Sequence, residues 1–431
     1  MPDATIAPAN QGEPETPVPT SSQAMPDAAP APTSPSSAPP RGSVAEVFLA
    51  FLRLGLVSFG GPVAHLGYFR EAFVERRRWL SAQAYADLVA LCQFLPGPAS
   101  SQVGIALGLS RAGVPGALAA WAGFTLPSAI ALALFALGIA AWGGGPAPGL
   151  LQGLELAAVA VVALAVWAMG RTLCPDAPRA TLAAAAAAAT LAWPGPMAQV
   201  GVIVLAAALG LLLFRQPAAE DSGHELPVSV GRGLALASLA LFAALLFGLP
   251  LLAAARPGWA IEMLDAFYRS GALVFGGGHV VLPLLQAEVV PTGWVGAEDF
   301  LAGYGAAQAV PGPLFTFASY LGAVAHGWAG AAVALIGIFL PSFLLVFGVL
   351  PFWEGLRRRP GARAALAGVN AAVVGLLLAA LYDPVWTGAV RGPGDFAQAL
   401  GAFVALAWWR APPWAVVLGS ALLGWLRVAW A

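Results

Sequence analysis

The chain repeats an uncommon combination: a basic residue and helix breakers set inside long apolar runs. Residues 51–61 read FLRLGLVSFGG and residues 267–277 read FYRSGALVFGG. Gln93-Phe94-Leu95-Pro96-Gly97-Pro98 is answered by Gln308-Ala309-Val310-Pro311-Gly312-Pro313, and Leu126-Pro127-Ser128 by Leu340-Pro341-Ser342. The offset between equivalent positions drifts only from 216 to 215 to 214. A period this constant marks an internal duplication. Glycine and proline breaks inside apolar segments are tolerated at membrane depth where they are buried in protein or line a solute path.

That reading needs a membrane, and the composition supplies one. Of 431 residues, 59% are hydrophobic and 10% are charged, against roughly a quarter charged in soluble domains. Runs of transmembrane length fall near 114–140, 149–170, 233–254, 328–350 and 364–381, since about 20 residues span the hydrocarbon. Two more stretches are split by proline: 180–193 with 197–214, and 395–409 with 414–430. The expected fold class is therefore all-α and polytopic. It comprises a tail over 1–43, a first repeat over 44–214, a linker with one helix over 215–260, and a second repeat over 261–430. The tail is rich in Pro, Ala, Ser and Thr and reads as disordered. It lacks the basic start and apolar core of a signal peptide.

Basic residues orient the copies. Arg76, Arg77 and Arg78 follow the first element, whereas the equivalent loop 288–299 carries Glu288, Glu298 and Asp299. Arg357, Arg358, Arg359 and Arg363 follow 328–350, whereas the equivalent loop 141–148 is uncharged. Positive charge favours the cytoplasmic side, so the copies are expected to be inverted repeats, a common transporter plan. One linker helix between inverted copies requires an even number of crossings per copy. Two arrangements meet that condition. In one, 44–74 and 83–110 are re-entrant hairpins tipped by the breaks. In the other, 44–74 crosses once and 180–214 crosses once as a kinked helix.

Several residues are candidates for chemistry. Arg53 and Arg269 are equivalent, and each guanidinium offers a planar fork of donors suited to an oxyanion; both could also snorkel to the headgroups. Glu46 and Glu262 precede them by seven residues, on the same helix face. The breaks at Gly60-Gly61 and at Gly276-Gly277 free backbone N–H groups that favour an anion, and equally permit close packing. Pro96-Gly97-Pro98 and Pro311-Gly312-Pro313 read as hairpin tips or rigid kinks, with Gln93 and Gln308 poised to bond a solute or the freed backbone. Pro127-Ser128 and Pro341-Ser342 read as kinks. His279 stands where the first copy has Val63, and could carry a proton; His65 lies two residues off. Glu155, equivalent to Asn370, is a further proton candidate.

Other classes lack support. Asp383 and Asp395 sit too close together around Pro384 and Pro393 for an intramembrane aspartyl protease. P-loop, HExxH and GxSxG patterns are missing, so the chain does not read as an enzyme. Cys92 and Cys174 are isolated and the four histidines scattered, so neither a metal nor another cofactor is expected.

The run from Phe59-Gly60-Gly61-Pro62 through Gln93–Pro98 to Leu126-Pro127-Ser128, present twice, resembles the chromate ion transporter family in its long, two-domain form. The resemblance covers about 44–430. Arg53, Gly60, Gly61, Pro96, Gly97 and Pro98 match the family pattern. The resemblance implies a secondary transporter that exports chromate across the bacterial inner membrane and confers chromate resistance. It further implies sulfate as the isosteric analogue and coupling to the proton motive force as the expected energy source. The expected partners are a chromate- or sulfate-like oxyanion and the lipid bilayer, with no nucleic acid; a homodimer stays open. The alternatives are a permease for sulfate or another oxyanion, and a membrane sensor or assembly protein that keeps the fold.

Overall fold

The computed structural model describes residues 42–142, 147–214, 230–275, 278–357 and 359–429. The expectations for the tail 1–41, and for Gly276 and Gly277, lie outside the described residues. The described residues belong to one compact unit. They are predominantly helical, with no strand among them.

The first copy opens with α1 (Val44–Val57), capped by the Ser43 hydroxyl, which accepts from the Glu46 N–H at 3.1 Å. The chain breaks at Ser58–Gly60, where Gly60 takes φ 102° and Gly61 φ 75°, values that L side chains resist. It resumes as α2 (Gly61–Phe69), which runs on into a π-helical turn, Arg70–Arg76. Phe51 lies 5.5 Å from Phe69 and 4.8 Å from Phe73 between ring centroids. In one continuous helix Phe51 and Phe69 would stand about 27 Å apart. The chain therefore reverses at the glycines, and 44–76 is a hairpin of short arms.

A second hairpin follows. The arm α3 (Ala82–Phe94) is capped by the Ser81 hydroxyl, and Pro96-Gly97-Pro98 forms the tip. The next helix, α4 (Ala99–Trp142), is two helices folded against each other. Ala112 and Gly113 leave helical geometry, and Gly108 and Gly116 pack so closely across the turn that neither has room for a Cβ. Only 114–138 is a full span. Then come α5 (Ala147–Leu173), α6 (Ala177–Ala192) and α7 (Pro196–Leu213), the last two separated by the break at Trp193–Gly195. The linker helix is α8 (Arg232–Ala255).

The second copy repeats this order. It runs α9 (Trp259–Ala272), a 3-10 turn Gly278–Val280, α10 (Val281–Val289), α11 (Ala297–Ala309) and α12 (Phe317–Val349). After the short α13 (Trp353–Arg357) come α14 (Pro360–Ala380), α15 (Thr387–Ala389), α16 (Pro393–Ala407) and α17 (Pro413–Ala429). The fold-back recurs in α12 at His326-Gly327, with Gly322 against Gly330. The Phe300 and Phe317 rings meet at 5.2 Å across the Pro311-Gly312-Pro313 tip, so that arm reverses too. Pro127 and Pro341 lie inside helices that continue past them.

Six helices among the described residues are long and apolar enough to cross a membrane. By length and composition these are membrane spans.

The copies are interlocked. α17 lies along α5, with Gly424 against Gly149 and Ser420 against Gly153. The equivalent seam joins α7 to α14, with Gly210 against Ala364 and Ala206 against Gly368. Small residues at these positions let the backbones touch, the usual device for packing helices in lipid.

Candidate functional site

The tips of the hairpins meet in the middle of the fold. The Gly97 N–H donates to the Val274 carbonyl at 2.7 Å, and the Gly312 N–H donates to the Ser58 carbonyl at 3.0 Å. Each Pro-Gly-Pro tip thus docks on the break of the other copy's first hairpin. Gly97 (φ 120°) and Gly312 (φ 109°) are also the only residue type that fits beside the opposing serine. An added Cβ would stand 2.8 Å from Ser342 Oγ in one case and 2.7 Å from Ser128 Oγ in the other. The Leu-Pro-Ser segments, read from sequence as kinks, are therefore the seats of the opposite tips.

Beside this junction lies a cavity of about 300 Å³, at the small end of the ~300–1,000 Å³ typical of ligand sites. Gly60, Gly61 and Pro62 form one wall, Gly278 and His279 a second, and Gln308 and Gly312 a third. α5 closes it with Val161, Ala165 and their neighbours. A Cβ on Gly278 would come within 3.3 Å of Pro62, so the two glycine breaks adjoin. The first turn of α2 has N–H groups that no helical carbonyl serves. The Gln308 side-chain nitrogen is buried with no hydrogen-bond partner. His279 Nδ1 bonds the Tyr304 hydroxyl at 2.7 Å. The lining contains no carboxylate. Chemically this is an apolar frame in which His279 and Gln308 are the polar side chains, beside the free N–H groups at the start of α2, and such groups can hold an anion.

The expected residues divide sharply. Gly60, Gly61, Gln308, Gly312 and His279 come together at the cavity, and Pro311 and Pro313 frame the tip beside it. Pro96, Gly97 and Pro98 form the opposite tip and do not line the cavity, while Gln93 is exposed.

The two arginines do not meet. Arg53 is exposed, because α1 buries Val47, Ala50, Phe51 and Gly55 and a position two residues from Phe51 points the other way. Arg269 is held at 3.0 Å by Asp265, one turn earlier, and at 3.0 Å by Glu288, which α10 brings back. Neither arginine lines the cavity. The sequence did hold a signal: Asp265 is four residues before Arg269, the spacing of an intrahelical ion pair, while the first copy has Leu49 there.

The carboxylates also separate. Glu46 pairs with Arg111 at 3.3 Å and Arg77 at 3.9 Å, and Glu262 accepts from the Gly258 N–H at 3.1 Å; both lie at helix starts away from the cavity. Glu155 is buried on α5, with Arg391 at 3.8 Å and one carboxylate oxygen without a hydrogen-bond partner. Asp395 is bound by Arg427 at 2.9 Å and Gln152 at 3.2 Å, while Asp383 accepts from Thr387 at 2.9 Å, so these two carboxylates serve separate structural contacts. His65 does not line the cavity; its Nε2 lies 3.2 Å from the Ser58 carbonyl and steadies the break. Tyr304, Ser128 and Ser342 were missed as site residues, because their roles depend on contacts across copies or across a hairpin.

No solved structure matches the chain. Among curated proteins, it is 29% identical over 402 residues to the chromate transport protein of Pseudomonas aeruginosa, covering 90% of this chain and 93% of that one. It is 28% identical over 345 residues to a probable chromate transport protein of Synechococcus elongatus, covering 79% and 84%. It is 26% identical over 392 residues to the chromate transport protein of Cupriavidus metallidurans, covering 89% and 93%. The chromate transporter family model matches twice, over residues 45–211 and 261–425, which is most of the chain; the protein belongs to the chromate transporter family.

Proposed function

We propose that the protein exports chromate across a bacterial inner membrane, binding it in the cavity between the hairpin tips. The observation that carries this reading is the convergence of the first copy's glycine break, Gln308 and His279 on one small space lined without carboxylates. A tetrahedral dianion offers acceptors on every side, and neutral donors can replace its water without burying a fixed counter-charge. Arg53 and Arg269 then act outside the site, Arg269 as an internal ion pair.

The two copies are inverted in this reading. Reversal at both hairpin tips leaves four helices per copy to cross: 114–138, α5, α6 and α7, and their equivalents. The reciprocal bonds from Gly97 and Gly312 are what a pseudo-two-fold relation in the membrane plane produces.

Packing around the cavity is unequal, and we read that inequality as one half of a transport cycle. In the second copy α11 lies along α5, with Gly305 against the Leu154 carbonyl. Its counterpart α3 does not pack along α14, the counterpart of α5. The first copy's hairpins pack in a different core, around Phe51, Phe69, Phe73 and Leu88, which Val346 and Trp353 of the second copy also enter. Exchange of roles, with α3 closing on α14 as α11 leaves α5, would open the site to the other side. Glu155, buried on α5 within reach of Arg391, is the carboxylate we assign to proton coupling. Sulfate, with the same shape and charge, is the competing substrate. We also keep a homodimer as the assembly to be tested by its mass in detergent.

The test is chromate flux in proteoliposomes under an imposed pH gradient. Saturable flux that sulfate inhibits, and that Gln308→Leu abolishes in folded protein, supports the reading. No chromate flux, with sulfate transported instead, changes the substrate. Flux untouched by Gln308→Leu removes the cavity as the site.

A further inference from the structure

The cavity is not symmetric in chemistry. His279 and Tyr304, joined at 2.7 Å, belong to the second copy. The equivalent positions of the first copy hold Val63 and Val89. Both members of the pair are polar in one copy and both are apolar in the other.

The bond between them has a direction. Tyr304 is fully buried, with its ring edge-on to that of Phe317 at 5.7 Å. Among the described residues, its hydroxyl has one hydrogen-bond partner, His279 Nδ1. A buried hydroxyl hydrogen left unbonded loses its hydration with nothing in return, which is unfavourable. The hydrogen is satisfied only if it points at Nδ1, which must then be unprotonated and accept it. A neutral imidazole that accepts at Nδ1 carries its own proton at Nε2. Nε2 has no protein partner among the described residues, and the ring lines the cavity.

We propose that Tyr304 is a positioning residue that fixes His279 as an Nε2–H donor on the cavity wall, so that the second copy reads the oxyanion and selects its fully ionised form. The inference rests on the reading of the cavity as the anion site. Its chemical consequence is selectivity. Chromate and sulfate dianions present only acceptors to an N–H donor. Hydrogen phosphate near neutral pH can accept from the same N–H with its unprotonated oxygens, but its O–H then faces a protonated Nε2 and a lining without a carboxylate to accept it.

The experiment uses full-length protein in lipid nanodiscs with 15N-labelled histidine, the His279 signal being assigned by its loss in His279→Gln. Wild type is expected to show the Nε2–H tautomer with an accepting Nδ1. Tyr304→Phe, which keeps the ring packing and removes only the hydroxyl, is expected to show a mixture of tautomers. Sulfate and then chromate are added; the Nε2–H resonance is expected to shift in wild type.

In proteoliposomes Tyr304→Phe is expected to raise the KM for chromate about fivefold, the worth of one hydrogen bond, with the maximal rate held. Phosphate, a poor competitor of wild type, should compete better. A role confined to packing would move neither the tautomer nor the competition.

An Nδ1–H tautomer in wild type, or an unchanged tautomer in Tyr304→Phe, overturns the proposal. If the anions shift the Gln308 side-chain amide, followed with 15N-labelled glutamine, but leave His279 Nε2 alone, the cavity stands and this inference falls. If they shift neither, both fall.

Discussion

The Gly97 N–H reaches across the duplication to the Val274 carbonyl at 2.7 Å, and its equivalent Gly312 reaches back to the Ser58 carbonyl at 3.0 Å. Each copy therefore closes the other's first hairpin, and the two halves cannot form the junction independently. This explains why a Pro-Gly-Pro tip and a Leu-Pro-Ser segment recur together: each tip needs a serine seat on the opposite copy.

The junction makes a specific double-mutant prediction. Gly97→Ala and Gly312→Ala each force a side chain into positive φ beside a serine, which should cost on the order of 1–3 kcal/mol. Ser342→Ala should relieve part of the Gly97→Ala defect and none of the Gly312→Ala defect, and Ser128→Ala the reverse. Thermal unfolding of detergent-purified protein measures both. Relief by the serine of the same copy would contradict the crossed arrangement.

The equivalent arginines should behave unequally. Arg269→Gln strands the Asp265 and Glu288 carboxylates, and breaking a buried pair from one side costs about 3–5 kcal/mol. Arg53→Gln removes an exposed side chain, and such changes stay within about 0.5 kcal/mol. Unfolding midpoints check this directly. Equal losses would mean that Arg53 has an internal partner in the folded protein.

These arginines also mark where sequence reasoning stopped. The duplication and the breaks were legible because glycine and proline at fixed offsets dictate where a helix cannot continue. The hairpin boundaries near 110–114 and 326–328 follow from the same residues. Which face of α1 turns inward was not legible, since Leu49, Leu56 and Val57 are as apolar as the buried Val47 and Phe51. In lipid, apolarity does not separate core from surface, and a lone arginine on such a helix gives no bearing. Gln93 and Gln308 show the same limit: their local sequences match, yet only Gln308 has a neighbouring helix, α5, that completes a cavity. The His279–Tyr304 pair spans a hairpin, so no local spacing announces it.

Proton coupling can be tested at one carboxylate. Glu155 is buried at 3% exposure with Arg391 at 3.8 Å, and Arg391 also bonds Glu298 at 2.7 Å. Glu155→Gln keeps the shape and removes the titrating proton. The expected result is loss of the acceleration that a pH gradient gives to chromate flux, while flux down a chromate gradient persists. Acceleration that survives in Glu155→Gln would move the coupling to another group.

The exchange of packing predicts a contact that this structure does not contain. Gly305 touches Leu154 where α11 lies along α5. The equivalent pair is Ala90 on α3 and Val369 on α14, two helices that do not pack here. If the copies trade roles during transport, cysteines at 90 and 369 should become cross-linkable, in a background with Cys92 and Cys174 replaced. Chromate should raise the cross-linking rate by cycling the protein, and the cross-linked fraction should carry no flux until reduced. Because Ala90 and Val369 were chosen only through the duplication, a bond between them would be hard to obtain from breathing of a single rigid state. Failure to cross-link in actively transporting vesicles would reject the exchange and favour a site that opens by movement of the hairpin tips alone.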